Sequence, residues 1–215
     1  MKKITFITGH YGSGKSEFTV NLAIQKKIST VVDLDIVNPY FRSRELEKIL
    51  TEYQIKLISS TEKNALGSDL PFISPEAFAP FHSNETAIYD LGGDGVGAKL
   101  IRQFLDLIEP ENVDLLLCIN VYREQTSKHE KIIKMIKEIE ASSGLKVTGL
   151  INNSNFLRDT TYDDLLVGEK IIQEVVNITG LPILYTGVYE DILHKCSTLQ
   201  GEVIPLKLFL RKKWL

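Results

Sequence analysis

The amino-acid sequence predicts an α/β protein with a doubly wound, mainly parallel sheet in a three-layer arrangement. Short apolar runs rich in β-branched residues recur along the chain, and segments with helical spacing of apolar residues separate them. Such runs are typical of parallel strands buried on both faces, and the segments between them suit crossover helices. In open sheets of this kind ligands bind beyond the carboxyl ends of the strands, so we expect the functional residues there.

Seven segments are predicted as strands because each is a short run of apolar or β-branched residues. They are 3–8, 29–34, 54–58, 86–91, 113–120, 146–152 and 182–187. Three helices are predicted from stripes of apolar residues at helical spacing. The stripes are Leu100, Ile101, Phe104, Leu105 and Ile108; Ile132, Ile133, Ile136 and Ile139; and Ile171, Ile172, Val175 and Val176. Each stripe is expected to pack on the sheet, and residues 1–215 are expected to form one domain.

The segment 60–84 does not follow this alternation. It contains three prolines, three phenylalanines and several serine and asparagine residues, a composition typical of irregular structure. Two interpretations remain open: an ordered excursion over the edge of the sheet, or a mobile lid over a ligand.

The composition is that of an ordinary globular protein, with 43% hydrophobic and 25% charged residues in a chain of 215. A formal net charge of -3 gives no overall attraction to nucleic acid, so no nucleic-acid partner is expected. The apolar start at 3–8 is too short for an export signal, and no stretch approaches the ~20 apolar residues of a membrane span. We expect a cytoplasmic protein with no membrane partner, in which Cys118 and Cys196 are reduced thiols and Cys118 lies in the core.

The segment from Gly9 to Ser16 matches G-x-x-x-x-G-K-[ST], the phosphate-binding loop, between a predicted strand and a predicted helix. Glycines let the backbone curl so that its N–H groups point at phosphate oxygens, and the following helix N-terminus attracts negative charge. We expect Lys15 to be a catalytic residue that neutralises the charge of the β- and γ-phosphates. The Ser16 hydroxyl is expected to bind Mg²⁺. The residues predicted to bind nucleotide here are Gly9, Gly12, Ser13, Gly14, Lys15, Ser16 and Glu17. The alternative is a glycine-rich turn with an exposed lysine.

Carboxylates follow two other predicted strands at the same edge. The second strand ends with Asp33-Leu34-Asp35, and the fourth ends with Asp90-Leu91-Gly92-Gly93. A strand-end aspartate holds the metal in P-loop enzymes, and we assign Asp90 to this role. Asp33 or Asp35 is then the catalytic residue that orients water, and Asp35 is favoured because it lies farther toward the γ-phosphate. The Gly93 N–H is expected to follow the γ-phosphate, although a close-packed turn would also explain this glycine.

These motifs together resemble the MinD/ParA/CobQ-like branch of P-loop NTPases, which is related to the nitrogenase iron protein and to dethiobiotin-synthetase-like enzymes. The resemblance covers nearly the whole chain. It implies that Asp33-Leu34-Asp35 is switch I and that Asp90-Leu91-Gly92-Gly93 is switch II. It further implies a three-layer P-loop NTPase fold with ATP and Mg²⁺ as cofactors, and it allows a homodimer.

One position departs from that branch. Its dimerising members carry an additional signature lysine in the loop, and alignment on Gly14-Lys15-Ser16 places His10 at that lysine and Tyr11 at a glycine. The loop is therefore a conventional one, in which the positive charge that would reach a partner subunit is absent or replaced by a pH-dependent one. This puts the nucleotide-sandwiching dimer in doubt but not nucleotide binding.

The residues after the sixth predicted strand bear on the choice of base. Related GTPases have N-K-x-D at this place, whereas this chain has Asn152-Asn153-Ser154-Asn155. The aspartate of that motif accepts two hydrogen bonds from guanine, and the amide of Asn155 has one accepting atom, so the sequence favours ATP over GTP. Asn152 and Asn153 either contact adenine or close a turn.

The sequence thus predicts an ATP-binding protein with Mg²⁺-dependent ATPase activity that acts as a nucleotide switch. The alternative is a small-molecule kinase or ATP-dependent ligase, in which 60–84 and Arg42 or Arg44 would hold an acceptor. A non-catalytic nucleotide-binding module is a third hypothesis, against which the carboxylates argue. The aromatic and arginine residues within 38–45 either hold a protein partner or a small anionic substrate, or they begin a helix.

Overall fold

The computed structural model describes residues 1–34, 39–59, 73–93, 95–196 and 198–210, and for 39–45 and Val96 it describes the backbone alone. The strands are β1 (Ile4–Thr8), β2 (Thr30–Leu34), β3 (Lys56–Ser59), β4 (Ala87–Leu91), β5 (Val113–Ile119), β6 (Gly149–Asn152), β7 (Ile183–Tyr189) and β8 (Glu202–Leu206). The helices are α1 (Lys15–Lys26), α2 (Pro39–Glu52), α3 (Gly95–Lys99), α4 (His129–Ser143) and α5 (Tyr162–Thr179). None of the helices described in these ranges is long and apolar enough to cross a membrane.

The eight described strands form one parallel sheet in the order β3-β2-β4-β1-β5-β6-β7-β8. The chain starts in the middle of the sheet, builds one half with β2 to β4, and then crosses β1 to build the other half. The direction of winding therefore reverses beside β1, and such a reversal opens a crevice at the carboxyl ends of the strands. The predicted α/β fold with a doubly wound parallel sheet is confirmed.

Two hydrophobic clusters cover the two faces of the sheet, because side chains alternate between faces along each strand. α1 and α2 pack on one face, where Phe18 and Leu50 are fully buried. α3, α4 and α5 pack on the other face, where Ile132 and Ile172 are fully buried. The stripes predicted for the second and third helices are therefore the buried sides of α4 and α5, which completes the three layers.

The stripe predicted as a helix over 100–108 folds differently. α3 ends at Lys99, and Leu100–Leu107 forms 3₁₀ turns instead. Ile101 and Phe104 are three positions apart and both are fully buried, so the 3₁₀ period of three residues keeps both on the core side. The apolar spacing identified the buried side but not the type of helix.

The irregular segment is ordered where it is described. Residues 60–72 lie outside the described ranges, but a 3₁₀ helix over Pro75–His82 places Phe81 against Phe104, with ring centroids 5.3 Å apart. The Tyr89 hydroxyl donates a hydrogen bond to the Ala77 carbonyl oxygen at 2.7 Å. For residues 73–84 the ordered interpretation is confirmed, although they cover a face of the sheet rather than its edge.

The sequence did not predict β8, which pairs with β7 at the edge of the sheet. The buried residues of this strand are Ile204 and Leu206, and Pro205 between them breaks the pattern of a strand. Proline is tolerated on an edge strand because its missing N–H can face away from the neighbouring strand. The strand was not predicted because it is short and contains a proline.

Candidate functional site

The loop between β1 and α1 depends on its glycines. Gly12 and Gly14 have φ angles of 80° and 81°, in the left-handed region that side chains disfavour. A Cβ atom on Gly9 would lie 2.3 Å from the Cys118 carbonyl oxygen, so the close approach of these backbones requires glycine. The Ser13 N–H donates to the His10 carbonyl oxygen at 3.0 Å and closes the turn. The predicted phosphate-binding loop thus has a tight, backbone-lined form.

Lys15 and Ser16 begin α1 directly after this turn. Lys15 is 5% exposed and Ser16 is 8% exposed, although both are polar. Buried ammonium groups are rare in proteins unless they have partners, and a helix N-terminus attracts anions. The interpretation of this segment as a turn with an exposed lysine is therefore wrong.

The surroundings of Cys118 show which charges meet at the end of β5. Burial raises the pKa of the Cys118 thiol to about 12, while nearby Lys15 lowers this pKa and nearby Asp90 raises it. Lys15 and Asp90 therefore both lie close to the same buried thiol. Cys118 itself is a neutral core residue, as the sequence predicted.

Asp33 on β2 and Asp90 on β4 are neighbours across the sheet. The strand register pairs Asp33 with Asp90 and Asp90 with Ile7 of β1, so the three side chains lie on one face. Ile7 packs in the cluster under α1, which fixes that face as the one next to α1. Two adjacent carboxylates repel each other, and a divalent cation offsets the repulsion. Mg²⁺ commonly takes one or two carboxylates together with substrate phosphates, so Asp90 and Ser16 fit the predicted metal site, and Asp33 lies next to Asp90.

Two predicted features of switch I are only partly described. Asp35 lies outside the described residues, and the choice between Asp33 and Asp35 as the catalytic residue stays a prediction. α2 begins at Pro39, as one interpretation of 38–45 requires, but the side chains of Arg42 and Arg44 are not described. Within the described ranges, no group of three or more His, Cys, Asp or Glu side chains is placed to hold a metal, so phosphate oxygens would have to complete the Mg²⁺ shell.

Gly93, in the loop after β4, lies directly against the phosphate-binding loop. A Cβ atom on Gly93 would be 2.7 Å from the Tyr11 nitrogen and 3.2 Å from the Gly9 carbonyl oxygen. A larger residue would push the two loops apart. The close-packed interpretation of this glycine is therefore correct, and it brings the predicted switch II element to the loop that it was expected to serve.

The Glu17 side chain has a structural role that the sequence did not predict. Its carboxylate accepts hydrogen bonds from the backbone N–H groups of Phe209 and Leu210. One turn later, the side-chain amide of Asn21 donates to the Lys207 carbonyl oxygen at 3.0 Å and accepts from the Lys207 N–H at 2.9 Å. The Glu17 side chain thus ties the segment after β8 to α1, and the assignment of Glu17 as a nucleotide-binding residue stays a prediction.

Asn152 and Asn153 are buried beside the phosphate-binding loop. The Asn153 side chain donates to the Ser13 carbonyl oxygen at 2.7 Å, and Asn152 accepts from the Ser154 N–H at 3.2 Å and donates to the Leu165 carbonyl oxygen. Asn152 is 0% exposed and Asn153 is 2% exposed. Of the two interpretations, turn closure is therefore observed, and a contact with the base stays an untested prediction.

Asn155 is also occupied by its own loop. Its side-chain nitrogen donates to the Asn153 carbonyl oxygen at 2.6 Å, and its side-chain oxygen accepts from the Leu157 N–H at 3.1 Å. Both polar atoms of the amide are used, and the residue is buried. The argument for ATP that counted the hydrogen bonds of Asn155 therefore loses its basis.

Sequence reasoning missed Arg123. Its Nε donates to the Gly12 carbonyl oxygen at 2.9 Å, so a half-buried guanidinium lies against the phosphate-binding loop. A compact turn holds it there: the Arg123 N–H donates to the Asn120 carbonyl oxygen at 3.1 Å, and so does the Thr126 hydroxyl at 2.6 Å. The signal was its position just after β5, at the same edge as the acidic residues.

Solved structures with the same fold include signal recognition particle receptors. FtsY from Elizabethkingia anophelis matches with a TM-score of 0.54 and 18% identity over 98% of this chain and 63% of that one. The cell division protein FtsY from Thermotoga maritima matches with a TM-score of 0.53 and 19% identity, over 87% of this chain and 62% of that one. This chain therefore spans about three fifths of the length of these proteins.

No protein-family model matches this chain, and no curated protein sequence matches it. At these identities the solved structures are evidence of fold alone, and the MinD/ParA/CobQ-like branch stays a prediction. The parallel sheet between two layers of helices agrees with the fold of the structures that match. The chain has the three-layer α/β fold of the P-loop NTPases.

Proposed function

We propose that this chain binds a purine nucleoside triphosphate with Mg²⁺ and hydrolyses it. The observation that carries the proposal is the arrangement at the carboxyl end of β1. A glycine-built loop leads into the N-terminus of α1, Lys15 is buried there, and Asp33 and Asp90 stand in register on the adjoining strands. Cationic, acidic and backbone donor groups of this kind are what phosphoryl transfer requires, because its catalysis is mainly positioning and charge neutralisation.

Each residue has a defined task in this proposal. The backbone N–H groups of the loop and the Lys15 ammonium bind phosphate oxygens, and Ser16 with Asp90 holds the cation. Bound Mg²⁺ supplies charge neutralisation at the phosphates. Asp33 or Asp35 orients the attacking water. Gly93 packs closely against the backbone of the phosphate-binding loop at Tyr11, so the loop after β4 adjoins the proposed nucleotide site, which supports a switch that a partner protein reads.

Both ATP and GTP are candidates for the bound nucleotide. The sequence favoured ATP, but the structure removes the hydrogen-bond argument based on Asn155. One FtsY structure from Elizabethkingia anophelis, with a TM-score of 0.52 and 19% identity over 87% of this chain, is a complex with GDP. GTP therefore stands beside ATP as a candidate, and competition between the two nucleotides at equal concentration decides.

The direct test measures phosphate release by the purified full chain. With Mg²⁺ and either ATP or GTP we expect turnover, and chelation of Mg²⁺ should stop it because the phosphates then lose their bridging cation. Calorimetric titration of both nucleotides gives the binding arm. If neither nucleotide binds and no phosphate is released at any Mg²⁺ concentration, the proposed function is wrong.

A transfer reaction is the second candidate, and one cavity favours it. A space of about 240 Å³ adjoins the phosphate-binding loop, bounded by His10, Gly93 and the α4 residues Met135 and Glu138. It could hold a small acceptor next to the phosphate site. Release of nucleoside diphosphate that requires an added metabolite, without free phosphate, would favour a kinase over hydrolysis.

We predict that replacing Arg123 with alanine lowers nucleotide affinity or turnover by about 10-fold. The guanidinium adds positive charge beside Gly12, and hydrogen bonds to charged groups contribute about 1.5–3 kcal/mol. Affinity is read by calorimetry and turnover by phosphate release. Arg123→Lys should recover part of the loss because it keeps the charge.

Arg102 provides a matched control for this variant. Its guanidinium also donates to backbone carbonyl oxygens, those of Ala141 and Ser142, but on α4 rather than at the phosphate-binding loop. Arg102→Ala should leave nucleotide binding unchanged. Equal behaviour of the two alanine variants would remove Arg123 from the site.

A further inference from the structure

We propose that Tyr122 and Phe156 form a stacking platform for the base of the bound nucleotide. The proposal rests on the proposed function and adds the residues that hold the purine. It concerns the rim of the site formed by the turn after β5 and the loop after β6.

Phe156 stands out because of its exposure within a buried loop. It is 48% exposed, whereas the preceding residues 151–155 are all buried. Its ring lies against that of Tyr122, with centroids 4.0 Å apart and an interplanar angle of 38°. One aromatic ring is thus held in place by another while about half of its surface faces solvent. A single exposed apolar residue is ordinary, so the location of this pair has to decide its meaning.

The pair belongs to two loops that both reach the phosphate-binding loop. The Asn153 side chain bonds the Ser13 carbonyl oxygen at 2.7 Å, and a Cβ atom on Gly14 would lie 3.9 Å from the Asn155 side-chain nitrogen. Phe156 follows Asn155 directly. From the other side, Tyr122 precedes Arg123, whose Nε bonds the Gly12 carbonyl oxygen. Both aromatic residues are therefore next in sequence to a residue that lies against the phosphate-binding loop.

The platform is fixed before any ligand arrives. The Asn120 side chain donates to the Asn155 carbonyl oxygen at 3.1 Å and joins the two loops. The Tyr122 hydroxyl donates to the Asp164 carboxylate at 3.0 Å, and burial followed by this carboxylate raises the pKa of Tyr122 to about 12, so it remains a neutral donor. The Phe156 N–H donates to the Thr160 hydroxyl at 2.9 Å. A preorganised aromatic surface loses little conformational entropy when a ligand stacks on it.

A nucleobase is the occupant that this chemistry suits. The nucleotide carries its base on the same molecule as the phosphates, and every base has a π-face that stacks on an aromatic side chain. Arg123 follows Tyr122 in the chain and adds a planar cation at Gly12, on the phosphate side of the proposed base site. Recognition by stacking does not distinguish adenine from guanine strongly, which agrees with the use of the Asn155 amide inside its own loop.

The test separates base from phosphates by using a ligand without a base. Binding of ATP, GTP and inorganic tripolyphosphate to the full chain is measured by calorimetry for the wild type and for Phe156→Ala. Loss of stacking should lower ATP and GTP affinity by about 10-fold, within the range found for one stacked base. Tripolyphosphate affinity should not change, because the phosphate-binding loop is intact.

Conservative and distant variants complete the test. Phe156→Trp should keep nucleotide affinity, and its fluorescence should change on addition of ATP but not of tripolyphosphate. Tyr53→Ala removes an exposed aromatic at the end of α2, where the ring packs edge-on against Phe209, and it should leave all three affinities unchanged. Thermal melting of each variant checks that the fold is retained.

The outcomes are distinct from those of the proposed function. Unchanged ATP and GTP affinity in Phe156→Ala, with a wild type that binds both, overturns the platform alone. An equal loss for tripolyphosphate also overturns it, because Phe156 would then act on the phosphate site. A wild type that binds none of the three ligands overturns the proposed function and the platform with it.

Discussion

Replacing Lys15 with alanine is expected to lower the affinity for ATP and GTP by about 100-fold or more. Lys15 is buried at the start of α1, and the other donors of the loop are neutral backbone amides. Removing one partner of a buried, hydrogen-bonded charge pair costs about 2–5 kcal/mol, because the opposite charge is left without compensation. Here the uncompensated charge would be that of the phosphates. Calorimetric titration measures the loss directly.

Lys26 is the control for this variant because it lies at the other end of the same helix. Its ammonium pairs with the exposed Glu202 of β8, and exposed ion pairs contribute little to stability. Lys26→Ala should bind nucleotide like the wild type. If Lys15→Ala also keeps its affinity while remaining folded, the loop from Gly9 to Ser16 is not the phosphate site.

The parts of the fold that could be predicted are those recorded in local patterns. Parallel strands buried on both faces leave apolar runs, and the amphipathic stripes of α4 and α5 mark their buried sides, so these elements were found. β8 was not predicted because an edge strand needs few apolar residues and tolerates Pro205. The stripe of Ile101 and Phe104 fits both an α-helix and 3₁₀ turns over so short a length, so only packing decides between them.

Some residues of the functional site could likewise be predicted from the sequence and others could not. The loop glycines and Lys15 follow from a contiguous motif, and Asp33 and Asp90 follow from the rule that parallel strands end at one edge. The structural role of the Glu17 side chain could not be predicted because its partners, Phe209 and Leu210, lie at the other end of the chain. A contact between residues so far apart leaves no periodic signal in the sequence.

The roles of the buried amides could not be assigned from the sequence for a related reason. Asn153 and Asn155 look like base-reading residues because they follow a strand, yet their polar atoms close turns and join loops. Asparagine is favoured in turns for its ability to bond nearby backbone, and one sequence cannot separate this use from recognition. Arg123 shows the converse, since a residue that resembles an ordinary surface arginine lies against the phosphate-binding loop.

Replacing Asp90 with asparagine is expected to remove most of the Mg²⁺-dependent nucleotide turnover. Asp90 is 5% exposed, in register with Asp33 and next to the strand that leads into the phosphate-binding loop. Asparagine keeps the size of the side chain but loses the charge that holds the cation. Turnover at a fixed Mg²⁺ concentration should therefore fall by about 100-fold, the size of effect seen when a group that positions transition-state charge is removed.

The affinity for nucleotide in the absence of Mg²⁺ should change in the opposite direction. In the absence of Mg²⁺ the Asp90 carboxylate and the phosphates repel each other, so Asp90→Asn should bind ATP or GTP at least as well as the wild type when the metal is chelated. A purely structural role for Asp90 would weaken binding in both conditions. Titrations of nucleotide with and without Mg²⁺ distinguish the two cases.

Asp114 supplies the matched control, since it is also a buried aspartate of the central sheet. It lies near the start of β5, at the opposite end of the strands, where its carboxylate accepts hydrogen bonds from the Lys2 N–H and the Thr148 hydroxyl, both at 3.0 Å. Asp114→Asn should lower the melting temperature and leave the Mg²⁺ titration unchanged, because only local hydrogen bonds are altered. If Asp90→Asn behaves like Asp114→Asn, losing stability with an unaltered Mg²⁺ requirement, then Asp90 does not hold the metal and the cation must be bound by other groups at the end of β2.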